Sequence, residues 1–348
     1  MSSGRLSERA NGHLQRLCLE IPNRRVGSAG NRAATAFFAE TVASLGFDTE
    51  CSAFDCIDWA HDGAQIRVAG ESFEAFPSPY SLGCQVQAPL AVASTVEELE
   101  TLDAGNGAAN RVLLLRGELT REQLMPKNFP FYNPDSHKRI VHLLEKKQPK
   151  AIIAATSRNP ELAGGLYPFP LIEDGDFDIP SAYMTEQVGN RLAVHKDRRV
   201  SLNIVAHRIP ATGCNVVARK GAGSGRRVVV CAHIDAKIGT PGAVDNASGV
   251  VVLLLLAELM KEYSRCLVVD LVALNGEDYY SAPGQVHYLR SNADRLGEIV
   301  LAINIDVAGY HEGNTAYSLY GCPAEIDGAV RRAFASRKDT VEGEPWYQ

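Results

Sequence analysis

The sequence predicts an α/β fold: a mostly parallel mixed sheet flanked by helices, with a smaller α/β domain inserted into it. Three observations predict it. The chain has 348 residues, enough for about two domains at roughly 150 residues each. From Asn215 onward, apolar strand-like runs alternate with helical stretches, the rhythm of a largely parallel sheet. Between about residues 58 and 206 the texture changes to short strands and long loops. The expected organisation is a discontinuous main domain, 1–57 and 207–348, around an inserted domain, 58–206.

Taken in order, two amphipathic helices open the chain. Ser7 is placed to cap the first. In the second, Ala34, Phe37, Phe38, Val42 and Leu45 recur at helical spacing, and Gly46 stands where a C-terminal stop belongs. Phe47–Phe54 reads as a strand. In the insert, Arg111–Arg116 and Ala151–Ala155 read as buried strands, with Lys138–Lys147 as a helix between them. Residues 157–180, rich in Pro, Gly and acidic side chains, read as loop. Ile179–Met184 then leads into a helix that Thr185 can cap. In the main domain, Arg227–His233, Cys266–Leu274 and Ile299–Ile305 read as strands, and Ala247–Tyr263 and Gln285–Ser291 as helices. Gly221–Gly225 looks like a phosphate loop, yet no Lys-Ser/Thr follows it, so it reads as a hairpin turn between two strands.

Composition narrows the function. Lys plus Arg is 35 and Asp plus Glu 41, a formal net charge of −6 with no basic run. Nucleic acid is therefore not an expected partner, because phosphate contacts need clustered cations. A membrane partner is not expected either. The first residues are polar, and the longest apolar run, Val250–Ala257, falls far short of a span of about 20 residues. The eight cysteines form no C-x-x-C pair. Cys231 and Cys266 lie in apolar runs and read as buried free thiols. A reducing, cytoplasmic compartment is the expectation.

The chemistry gathers at strand ends. The three strands of the main domain end in His233-Ile234-Asp235, in Gly276-Glu277-Asp278 and in Asp306, and Asp245-Asn246 precedes the first following helix. In open α/β sheets, sites form outside the carboxyl ends of the strands. Each piece alone has a plain reading: a structural histidine, a helix cap, a solvated acidic pair, a turn aspartate. Together they set several carboxylates beside one imidazole, which repel unless cations neutralise them. Mixed nitrogen and oxygen donors suit Zn²⁺, with Mn²⁺ or Co²⁺ as alternatives. A single histidine among acids suits a two-metal site bridged by a carboxylate. Asp270, interrupting an apolar strand, is expected to pair with a buried arginine, and His287 and Trp59 to serve packing.

These residues resemble the co-catalytic zinc aminopeptidases of metallopeptidase family M28. That family carries His-x-Asp, Gly-Ala-x-Asp-Asn-x-Ser-Gly, Glu-Glu or Glu-Asp, and Asn-x-Asp-x-x-Gly. This chain has His233-Ile234-Asp235, Gly242-Ala243-Val244-Asp245-Asn246-Ala247-Ser248-Gly249, Glu277-Asp278 and Asn304-Ile305-Asp306-Val307-Ala308-Gly309. Arg25-Val26-Gly27-Ser28 resembles the family's amino-terminal Arg-x-x-Gly segment. The insert resembles, more weakly, a protease-associated (PA) domain, through its strand-helix rhythm and the Lys150-Ala151-Ile152-Ile153 and Ile179-Pro180-Ser181-Ala182 segments.

The resemblance implies a peptidase that removes N-terminal residues from peptides with a free N-terminus, using metal-activated water and two zinc ions. It implies that Asp245 bridges the metals, that His233 and Asp306 complete one ligand set and that Asp278 binds the other ion. Asp235 is to orient His233, and Glu277 to act as general base. The family's last histidine ligand has no counterpart in place: after Asp306 only His311 follows. The expectation is a chain truncated after Gln348. Other amide hydrolases, glutaminyl cyclase-like enzymes and a non-catalytic peptide-binding protein stay open as alternatives.

Overall fold

A computed structural model describes residues 3–21, 23–102, 108–157, 168–223, 225–278, 280–310 and 313–344. Helix α1 (Ser3–Gln15) runs through Ser7, which is therefore not its cap. Helix α2 (Ala29–Ser44) starts at Ser28, whose side chain accepts the N–H of Asn31. It stops before Gly46, which takes φ +78°. Strand β1 (Asp48–Val68) is followed by β2 (Glu71–Pro77), β3 (Cys84–Ala93), the short helix α3 (Val96–Thr101) and β4 (Val112–Leu115). Next come α4 (Asp135–Lys147), β5 (Ala151–Thr156), β6 (Ser181–Thr185) and α5 (Glu186–Ala193), which Thr185 caps as expected. The long strand β7 (Arg199–Lys220) leads to β8 (Arg227–His233), α6 (Ser248–Leu259) and β9 (Val268–Leu274). Helix α7 (Pro283–Ser291), β10 (Ile299–Asn304), β11 (Thr315–Tyr317), α8 (Ala324–Phe334) and β12 (Thr340–Glu342) complete the order. No helix among the described residues is long and apolar enough to cross a membrane.

The chain divides into two compact units: Met1–Cys56, Thr212–Asp278 and Pro283–Gln348 in one, Ile57–Ala211 and Tyr279–Ala282 in the other. In the first unit the strands lie in the order β7-β9-β8-β10. β9 and β10 are both parallel to β8, and β7 is antiparallel to β9. The register places His233 opposite Leu274 and Asn304 opposite Cys231, so the three parallel strands end nearly level. β9 is buried along nearly its whole length, as a strand covered on both faces must be. One face packs against Leu17, Phe38 and Val42 and against Val250, Leu253 and Leu254 of α6. The other holds Val217, Val229, Val272 and Leu274. Asp270, fully buried on β9, meets Arg227 at 3.2 Å, the pairing expected from the sequence.

In the second unit β3, β4, β5 and β6 are parallel neighbours, with β2 antiparallel to β6 and β7 antiparallel to β3. Leu192 of α5 packs with one apolar cluster on this sheet, and Ile140, Val141 and Leu144 of α4 with another.

Two further local expectations fail. Gly221–Gly225 is no hairpin turn: β9 lies between β7 and β8, so the turn joins strands that do not pair. A Cβ at Gly223 would fall 1.6 Å from the Cys266 carbonyl oxygen, and that close backbone approach explains the small residue. Cys266 itself precedes β9 and is exposed rather than buried.

Candidate active site

His233 closes β8 and is almost fully buried. Its Nε2 lies 3.4 Å from Asp245 Oδ1 and 3.4 Å from Asp306 Oδ1. Its Nδ1 lies 3.8 Å from Asp235 Oδ1 and 3.8 Å from Glu277 Oε2. The strand ends and the turn before α6 thus bring Asp235, Asp245, Glu277 and Asp306 around one imidazole.

Asp245 sits on a kinked turn between β8 and α6. Gly242 opens the turn in the left-handed region, and Asn246 is held at φ 94°, ψ −70°. Asn246, buried, donates from Nδ2 to Asp278 Oδ2 at 2.6 Å, so the turn and the 276–278 loop are tied together. The motif's small residues have work of their own. Ser248 Oγ accepts the N–H of Ala308 at 2.9 Å, fixing the loop after Asp306. Gly249 lets α6 press onto the sheet, where an added Cβ would lie 2.4 Å from Ile305 O.

Asp235 is fully buried, and its hydrogen bonds run to backbone. Oδ1 accepts the N–H groups of Gly276 at 2.8 Å and Glu277 at 3.3 Å, and Oδ2 that of Asp278 at 3.1 Å. It faces His233 Nδ1 and at the same time shapes the loop that carries Glu277 and Asp278.

Sequence reasoning missed the buried polar frame beneath this loop. Asn275 accepts from Asn31 at 2.5 Å, donates to Thr35 at 3.1 Å and receives Asn215 Oδ1 on its own N–H at 3.0 Å. Three buried asparagines had no periodic signal to reveal them. At the amino-terminal segment Arg24 is fully buried and Arg25 only partly so, and the Arg-x-x-Gly spacing counted back from Gly27 begins at Arg24.

The electrostatics are those of crowded acids. Burial pushes the Asp278 carboxyl up to about 8, and burial likewise raises Glu277. Burial works against charge on His233 too, but Asp235, Asp245 and Asp306 outweigh it and raise the imidazole well above its ordinary value. Burial also acts to raise Asp306, yet its contact with His233 leaves it lowered overall. Five carboxylates around one imidazole call for positive charge. Two overlapping groups bring their ligand atoms within 4.8 Å of one another: His233, Asp245, Asp306 and His233, Asp235, Asp278. This donor set fits a divalent cation of the zinc type. No second histidine joins these groups among the described residues. His311 lies outside the described residues.

Imidazole and carboxylates thus converge at the carboxyl edge of three parallel strands, as a cluster able to hold a divalent cation. Residues 215–346, which carry the whole constellation, match the model of Peptidase family M28. A curated relative is the "Probable lipoprotein aminopeptidase LpqL" of Mycobacterium tuberculosis, 25% identical over 296 residues, 82% of this chain and 54% of the relative. The chain thus spans about half the length of the curated relative it matches. Among solved structures, the zinc aminopeptidase BSAP from Bacillus subtilis aligns with a TM-score of 0.75 at 17% identity, over 97% of this chain and 79% of that one. The aminopeptidase from Aneurinibacillus sp. strain AM-1 aligns with a TM-score of 0.71 at 18% identity, over 97% and 80%. At such identities the structural likeness establishes the fold.

Proposed function

We propose that this chain is a metal-dependent aminopeptidase. The observation that carries the proposal is the pair of overlapping ligand groups around His233, with the Glu277 carboxylate 3.8 Å from the same imidazole. His233, Asp245, Asp306 and Asp278 would hold two zinc ions. When bound, the ions polarise the scissile carbonyl and make water acidic enough to lose a proton near neutral pH. The protein's own share is proton handling and placement. Glu277 is partly exposed while its loop is fixed by Asp235. Burial keeps its carboxyl basic for a glutamate, which suits a group that accepts a proton from water and returns it to the leaving amine. The substrate in this reading is a peptide with a free N-terminus, as the names of the relatives support.

The test is hydrolysis of aminoacyl anilides alongside zinc content. Glu277→Gln should keep its zinc and lose at least about 100-fold in kcat. Turnover that survives this substitution would remove Glu277 from the mechanism, and a zinc-loaded wild type without turnover would defeat the enzyme reading. The second reading, a peptide-binding protein without catalysis, is favoured by the single histidine in the described ligand groups. The second unit, in this reading, is a PA-like insert. On compartment, the composition favours the cytoplasm, whereas the disulfide between Cys51 and Cys214 favours an oxidising setting.

A further inference from the structure

Arg24 follows α1 and precedes the cap of α2, and it is fully buried. A buried guanidinium must place its N–H groups on acceptors. Nε donates to Ile234 O at 3.0 Å, Nη1 to Leu17 O at 2.6 Å and Pro241 O at 2.9 Å, and Nη2 to Gly242 O at 2.8 Å. All four acceptors are backbone carbonyls. Ile234 lies between His233 and Asp235, at the strand end. Pro241 and Gly242 open the turn that carries Asp245 and Asn246. One rigid, planar fork therefore spans the two backbone segments that present His233 and Asp245 of the first ligand group. The fit is tight on the turn side. A Cβ at Gly242 would come within 2.8 Å of Arg24 Nη2 and 2.4 Å of Asn246 Oδ1, and the residue's φ is +52°.

We infer that Arg24 is a positioning residue for the metal centre: through these carbonyls it holds the Asp245 turn in register with the His233 strand end. The inference rests on the metal-centre reading above. It also has a sign that charge alone does not give. A guanidinium near a cation site repels the cation, so removing the charge should tighten metal binding if electrostatics were its role. If Arg24 acts by holding backbone, its removal loosens the ligand geometry and metal binding weakens. Lysine cannot replace the fork, since its ammonium is a compact point charge with three donors.

The experiment measures zinc dissociation constants of the whole chain by competition with a chromogenic chelator, together with circular dichroism and thermal midpoints of the zinc-free proteins. Arg24→Gln and Arg24→Lys are compared with wild type and with Phe38→Leu, a core substitution at a fully buried position of α2 whose side chain makes none of these hydrogen bonds. Both Arg24 variants should bind zinc about tenfold or more weakly, the usual scale for residues that orient ligands, with Arg24→Gln the weaker of the two. Phe38→Leu should lower the midpoint and leave zinc affinity within about twofold of wild type. Unchanged or tighter zinc binding by Arg24→Gln overturns the inference, as does a lowered midpoint with wild-type affinity in both Arg24 variants. Where an Arg24 variant does not fold, Gly242→Ala serves in its place. It keeps the arginine but displaces the turn, and must weaken zinc in the same direction or the inference falls. A wild type that takes up no zinc overturns the metal-centre reading itself, a result separable from the others.

Discussion

At the residue scale, Asp235 illustrates how much one buried carboxylate carries. Two oxygens accept three consecutive backbone N–H groups, Gly276 to Asp278. An anion satisfied in this way nucleates the shape of the loop that bears the base and a metal ligand. Asp235→Asn keeps the volume but turns one acceptor into a donor. That group would then face a backbone N–H with no water to intervene. The expected cost is about 1–3 kcal/mol of stability in the zinc-free protein, read from denaturant melts, with a fall in turnover because Glu277 moves with its loop. A melt indistinguishable from wild type would mean that the loop takes its shape from elsewhere, the Asn275 network being the obvious source. Ionisable residues of this site were legible in the sequence because a carboxylate at the end of an apolar strand is conspicuous. Asn31, Asn215 and Asn275 were not, since a buried amide leaves no pattern and its partners are up to 244 residues away.

At the scale of elements, the close seating of α6 on the sheet decides where Asp245 goes. Gly249 faces Ile305 O and the Ala232 side chain so closely that an added Cβ would lie 2.4 Å and 2.9 Å from them. Gly249→Ala must therefore lift the helix start or bend the strand end. The expected loss is about 1–3 kcal/mol, measured by thermal melts, together with weaker zinc uptake, because Asp245 enters α6 through the adjoining turn. Stability lost without any change in zinc affinity would show that the turn is held independently of the helix. Most elements were readable here for a local reason: apolar runs, the cap at Thr185 and the Gly46 stop are all short-range signals. Strand pairing is not short-range. The hairpin expected at Gly221–Gly225 failed because β9, a segment later in the chain, occupies the place beside β7. Likewise, β1 and β7 run to 21 and 22 residues, and their polar, alternating ends carry too little apolar signal to announce such lengths.

For the molecule as a whole, the feature furthest from sequence reasoning is the link between Cys51 and Cys214. The eight cysteines show no spacing that pairs them, and these two stand 163 residues apart. Folding places them on β1 and β7, strands that pair with each other, with Cα atoms 5.9 Å apart, inside the usual disulfide range of about 4.4–6.8 Å. The bond closes a loop containing the long segment of the second unit, so it ties the chain's departure from the first unit to its return. A cross-link over so long a loop restrains the unfolded chain strongly, and about 2–4 kcal/mol is the ordinary gain. The chain denatured without reductant should accordingly alkylate at six cysteines, those outside this disulfide, and at all eight after reduction. Mass spectrometry reads the difference directly. Cys51→Ser should lose about the same 2–4 kcal/mol in equilibrium unfolding under non-reducing conditions and nothing comparable in the presence of reductant. Eight alkylated sites without reduction would leave the two sulfurs as neighbouring thiols.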